Sequence, residues 1–205
     1  MGSEWLPLFP LEVVLFPGAD LPLHIFEPRY RLMTRLCREQ KREFGVVLVR
    51  TQGVSRIGCT AEIVSVTREY PDGRSDLLAR GRRRFLLRAV SDELEYLQGD
   101  VEFLADREGP LDTEGRARLL ATFNDVFRFL LQRNPPPLAE LEELRLSYRL
   151  AELLPLELDF KQALLEMDSE AERRESLRER LEAWRTELEV VQRRRRKASG
   201  NGQGR

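Results

Sequence analysis

The sequence predicts an α+β protein, with a β-rich N-terminal lobe and an α-helical C-terminal lobe. Three observations carry this reading. Through about residue 105, apolar residues fall in short runs or alternate with period 2, punctuated by proline and glycine. From Asp112 the period changes to 3.6. A chain of 205 residues with 41% hydrophobic content can bury a core of ordinary size unaided. Its two cysteines, Cys37 and Cys59, are too few for a disulfide framework and read as buried structural thiols.

The elements follow in order. Residues 6–9, 13–16 and 21–25 are brief extended runs separated by Pro7, Pro10, Pro17, Gly18 and Pro22. Proline offers no ladder donor, so these strands should be short, edge-like or bent. Pro28 opens a helix in which Tyr30, Met33, Leu36 and Cys37 repeat at helical spacing through about Arg42, with Glu27 as its cap. Residues 44–49 form a continuous β-branched run, a buried strand. Residues 59–69 alternate, Asp72-Gly73 signals a hairpin, and 76–79 return. Gly81 marks a bend or bulge, then Phe85, Leu87 and Ala89 alternate, and 96–104 complete a barrel or sandwich.

In the C-terminal lobe, Leu119, Leu120, Phe123, Val126, Phe127, Leu130 and Leu131 draw one apolar helical stripe. Three prolines at 135–137 stop it, and a second helix is expected over 138–154 and a short third over 159–167. Ser169 with Glu172 is a capping box for a long last helix. Leu177, Leu181, Trp184, Leu188 and Val191 form a short heptad seam, expected to dock within the local bundle. The expected boundaries are 1–108 for the barrel lobe, 109–192 for the helical bundle and 193–205 for a disordered basic tail. A loop near residues 107–110 joins the lobes.

Charge excludes several function classes. Residues 1–110 carry 16 basic and 17 acidic side chains, residues 111–191 carry 12 and 18, and residues 192–205 hold six basic and no acidic ones. Neither lobe has the basic excess of a nucleic-acid-binding domain. No apolar run is long enough for a membrane span and no signal peptide opens the chain, so the expected address is the cytoplasm.

Catalytic motifs are equally scarce. There is no phosphate-binding G-x-x-x-x-G-K-[ST], no G-x-G-x-x-G and no G-x-S-x-G. One histidine and two distant cysteines build no ordinary zinc site. His24 lies in an apolar strand, where a structural role outweighs a catalytic triad. The lysines Lys41, Lys161 and Lys197 do not have the setting of a Ser–Lys dyad. No catalytic residue, cofactor or metal is expected, and a binding protein remains. Arg82, Arg83 and Arg84 form the one basic cluster of the β lobe, an alternative nucleic-acid contact, although strand alternation sends them to different faces.

Against this background the opening LPLFPLEVVLFPGADLPLHIFEPRYRLM resembles the start of the N-terminal substrate-binding domain of the Lon protease family. The pattern P-L-F-P-L, V-L-F-P-G, L-P-L-x-I-F-E-x-R-Y is met at residues 7–11, 14–18 and 21–30. FGVVLV, IGCTAEI, LLARGRRRFLL and LAELLPLELDFKQALLEM extend the likeness to about 5–190. The resemblance implies a PUA-like β-barrel followed by a helical bundle, and recognition of polypeptides destined for degradation. It marks His24, Phe26, Arg29 and Tyr30 as polypeptide-binding candidates, with fold maintenance as the competing role of that block.

In the full protease an ATPase and a Ser–Lys peptidase follow this domain, whereas this chain ends at Arg205. A stand-alone, non-enzymatic module for unfolded or exposed apolar segments is therefore expected, serving as an adaptor or chaperone-like protein beside a separate protease. RNA binding is the alternative, and the expected state is a monomer or weak homodimer.

Overall fold

The structure is a computed structural model that describes residues 4–107, 113–137 and 145–200, with the backbone alone at 189 and 191–200. Two units divide the chain: residues 1–107 with 151–168, and residues 108–150 with 169–205. This differs from a single cut at 108, because residues 151–168 join the barrel.

The first unit contains strands β1 (Glu4–Leu11), β2 (Asp20–Ile25), β3 (Phe44–Arg50), β4 (Gly53–Val54), β5 (Ile57–Glu69), β6 (Ser75–Ser91) and β7 (Gln98–Phe103). Pairing runs β1-β7-β6-β5-β3, and a parallel β1–β3 ladder closes the ring. Closure removes the free edges that a five-stranded sheet would expose. Leu6, Leu8, Val47, Phe85, Leu87 and Val101 fill the interior.

Two expected strands prove to be one. Residues 76–79 and 85–89 both lie on the 17-residue β6, which serves the barrel with one half and pairs β2 with the other. Gly81 makes this possible: a Cβ there would lie 2.1 Å from the Phe16 carbonyl oxygen. The Gly81 carbonyl accepts the Gly18 N–H at 2.8 Å. Residues 13–16, expected to be a strand, have no ladder; Leu15 and Phe16 are buried as a packed loop instead.

Helix α1 (Pro28–Glu39) begins at its proline and buries Tyr30, Met33, Thr34 and Cys37, an i, i+3, i+4, i+7 stripe. Tyr30 stacks on Phe9 at 4.1 Å between centroids, and Phe9 meets Phe44 at 6.2 Å. Burying Met33 completely contributes about 2 kcal/mol. The helix ends earlier than expected, with Lys41 in the left-handed region (φ 50°). Glu27 sits at the N-cap without a side-chain cap; its carboxylate accepts the Arg29 Nε–H at 2.9 Å instead.

The segment α4 (Leu158–Glu166) is clasped to the barrel by polar bonds. Gln162 Nε2 donates to the Ile57 carbonyl at 2.9 Å, and Arg84 Nη1 donates to the Leu165 carbonyl at 3.1 Å. Beyond α4, Arg107 N–H and Nε–H donate to the Asp168 carbonyl and carboxylate at 2.6 and 2.8 Å. Main-chain carbonyls leave no trace in side-chain periodicity, which is why the pattern of residues alone does not assign this segment to the barrel.

The second unit contains α2 (Thr113–Leu131) and α5 (Glu170–Gly200), and α3 (Leu146–Glu152) spans the division between units. Leu119, Phe123, Val126 and Phe127 of α2 and Leu177 and Leu181 of α5 form the buried apolar set. Within it Arg173 is wholly buried, donating to Ser147 Oγ at 3.3 Å and Glu170 Oε2 at 3.1 Å, with its guanidinium over the Tyr148 ring. Ser169 Oγ accepts the Glu172 N–H at 3.5 Å, the expected cap. The heptad seam is buried at Leu177 and Leu181 and half-buried at Trp184 and Leu188. Helix α5 continues to Gly200, where a disordered tail is expected from 193. Residues 138–144 of the expected second helix, the 108–110 loop and the terminal 201–205 lie outside the described residues.

Candidate functional site

The β2–β6 register sets His24 opposite Asp76, 52 positions away in the chain. Their side chains meet at 2.5 Å between Nδ1 and Oδ1. A carboxylate only accepts, so Nδ1 carries the proton and Nε2 faces away from this bond. Tyr70, at the end of the β5–β6 hairpin, donates its hydroxyl to Asp76 Oδ2 at 2.8 Å. The bond from His24, with that from Tyr70, holds the Asp76 carboxyl below the usual carboxylate value. The Tyr70 phenol is raised, chiefly by the same bond to Asp76.

Aromatic faces gather on this polar pair. His24 stacks with Phe26 at 6.0 Å and meets the Tyr70 ring edge-on at 5.8 Å. Phe26 is 58% exposed, the most exposed large apolar side chain among the described residues. The guanidinium groups of Arg68 and Arg74 lie 4.6 and 5.1 Å from the Tyr70 centroid. An exposed aromatic surface with a rigid polar base suits stacking and apolar contact.

Tyr70 also forms one wall of a groove of about 620 Å³ between α1 and the β5–β6 turn. Arg31, Arg35 and Arg38 come from α1, Glu69 and Arg74 from the hairpin, and Glu95 from the loop before β7. The turn itself is fixed by Gly73, whose φ of 84° and N–H to the Tyr70 carbonyl (2.9 Å) suit glycine.

The four polypeptide-binding candidates separate. His24 and Phe26 share the aromatic surface. Arg29 lies beside them in sequence, bonded to Glu27 and stacked 4.6 Å over the Tyr30 ring. Tyr30 is only 7% exposed and serves the core. Tyr70 and Asp76, beside His24, and Arg31, on the groove, were not singled out by the sequence. The nearest sequence signal was Tyr70 preceding Pro71-Asp72-Gly73, which puts an aromatic at a hairpin tip.

The three clustered arginines do not form a claw. Arg82 pairs with Glu62 at 2.9 Å, and Arg83 pairs with Glu43 at 3.0 Å and covers the Phe103 ring at 3.7 Å. Arg84 is 2% exposed and is bonded to the Asp106 carboxylate at 2.5 Å as well as to Leu165.

Burial pushes the Cys37 thiol up to about 11, and Cys59 is buried too. Lys161 is lowered by burial, a more suggestive setting than its sequence position implies, yet no hydroxyl is bonded to it among the described residues. Among the described residues no three His, Cys, Asp or Glu side chains are placed to hold a metal, and no helix is long and apolar enough to cross a membrane.

The first unit is thus a closed barrel with an exposed aromatic surface and an adjoining groove. Residues 5–183 match the family described as the ATP-dependent protease La (LON) substrate-binding domain. The chain belongs to that family. A Lon N-terminal domain protein from Xanthomonas campestris, solved by crystallography, is 31% identical; the match covers 85% of this chain and 96% of that one, with a TM-score of 0.68. The N-terminal domain of a Mycobacterium avium complex Lon protease shares the fold, at 15% identity over 87% and 98% of the two chains and a TM-score of 0.64. The Lon protease of Cytophaga hutchinsonii is 26% identical over 185 residues, which are 82% of this chain and 23% of that protein. This chain thus spans less than a quarter of that protease.

Proposed function

We propose that the chain is a non-enzymatic recognition module that binds unfolded or exposed apolar polypeptide segments. Membership of a substrate-binding family carries the reading, and the matched region is the substrate-binding part alone. The aromatic surface of Phe26, His24 and Tyr70 is the proposed contact, with Arg29 at its border and Tyr30 as its foundation. A separate ATP-dependent protease in the cytoplasm is the partner such a module would serve as an adaptor. RNA binding through the arginine cluster loses its support, because Arg84 is buried and Arg82 and Arg83 are paired.

Fluorescence anisotropy with labelled unfolded protein and peptide arrays is the test. Binding in the micromolar range that weakens at least five-fold in Phe26→Ala is expected. No binding at tens of micromolar contradicts the proposal. The dimer question is answered by light scattering, where a monomer is expected because Leu177 and Leu181 are buried within one chain.

A further inference from the structure

The groove beside the aromatic surface has a net positive lining, four arginines against Glu69 and Glu95. Two of its arginines are compensated: Arg38 pairs with Glu69 at 3.2 Å, and Arg74 pairs with Asp72 at 2.7 Å. The other two are not. Among the described residues, Arg31 and Arg35 pair with no carboxylate, although both line the groove. They stand one helical turn apart on α1, so their charges repel along the same face.

Arg31 is also held in place. It is half-buried, and its guanidinium packs so closely on the hairpin turn that a Cβ on Gly73 would lie 1.8 Å from Nη2. A partly desolvated guanidinium with no carboxylate bonded to it is unfavourable, and a carboxylate matches its planar fork. Pre-placement by Gly73 reduces the ordering cost when such an anion arrives.

We propose that the groove selects acidic polypeptide segments, with Asp or Glu side chains on Arg31 and Arg35 and an adjoining apolar side chain on Phe26 and Tyr70. This rests on the polypeptide-binding reading and narrows its substrate class. A nucleic-acid strand fits less well: Glu69 and Glu95 on the walls would meet its continuous phosphates, whereas a peptide places its charges singly.

The test uses the full chain and three labelled probes in anisotropy titrations. One is an extended peptide with Asp and Glu flanking a Phe, the second is the same peptide with Asn and Gln, and the third is a uridine oligonucleotide. The acidic peptide is expected to bind at least ten-fold tighter than its amide counterpart. That ratio should fall towards one in Arg31→Gln/Arg35→Gln and at high salt, and be largely kept in Arg31→Lys/Arg35→Lys. The core contacts of α1 run through Tyr30, Met33 and Cys37, so both double variants should stay folded, with melting temperatures read alongside to account for the Arg31 contact on the turn.

Equal binding of the two peptides overturns this inference and leaves the polypeptide reading intact. A preference that survives the glutamine variant also overturns it. If neither peptide binds, the polypeptide reading fails and this inference with it. Tighter binding of the oligonucleotide, lost in the glutamine variant, replaces it with a nucleic-acid site.

Discussion

Two arginine-rich regions of the first unit look alike in sequence and differ in the structure. Residues 80–88 of β6 hold five arginines, and residues 29–38 around α1 hold four. On β6 Arg80, Arg82, Arg83, Arg84 and Arg88 each meet a carboxylate, so the strand's positive charge is internally satisfied. On α1, Arg29 and Arg38 are paired, while Arg31 and Arg35 meet no carboxylate among the described residues. Density of arginine therefore says little about binding; the placement of carboxylates across strands decides which charges remain available to a partner.

Arg84 tests the structural side of this contrast with the largest effect. Arg84→Met should destabilise the first unit by about 2 kcal/mol in urea unfolding, because the Leu165 carbonyl loses its buried donor and Asp106 its ion pair. A loss under about 1 kcal/mol would show that the clasp to α4 is dispensable. On the other region, Gly73→Ala should cost about 1–2 kcal/mol, through its positive φ and the displaced Arg31 guanidinium. The same variant should weaken acidic-peptide binding. Unchanged affinity would mean that the packed Arg31 geometry is irrelevant.

The aromatic surface has a pH signature. The folded-state pKa of Asp76 is depressed, so its contribution to stability is present above the ordinary carboxylate range, near pH 4. It should be lost as pH falls through the still lower folded value. Asp76→Asn should flatten that part of the acid limb in thermal melts at stepped pH; a curve identical to the parent would remove Asp76 from the account. The smallest effect belongs to Arg82→Gln/Arg83→Gln. Exposed pairs of this kind are worth about 0.2–1 kcal/mol each, and the change should leave peptide affinity within two-fold in the anisotropy assay.

Local rules made much of the fold legible. Pro28 announces α1, Asp72-Gly73 announces the hairpin, and Ser169 announces α5, because each acts on its own few residues. The continuity of β6 was hidden because Gly81 reads equally as a bend within a strand or a break between two. The attachment of α4 was hidden because Gln162 and Arg84 bind main-chain carbonyls. At the candidate site, His24 and Phe26 lie in the stretch that carries the family resemblance, whereas Asp76 and Tyr70 reach them only through the β2–β6 register and the hairpin. Arg31 and Arg35 resemble the other arginines of α1 in sequence, and only the structure shows that no carboxylate among the described residues is bonded to them.

The central claim is that polypeptide meets the α1 and hairpin side of the barrel and not the arginine-rich strand. Amide hydrogen exchange with and without a saturating unfolded client tests it directly. Added protection is expected over residues 24–38 and 69–76, with residues 80–88 unchanged. Protection confined to 80–88, or none in the first unit despite saturation, would contradict it.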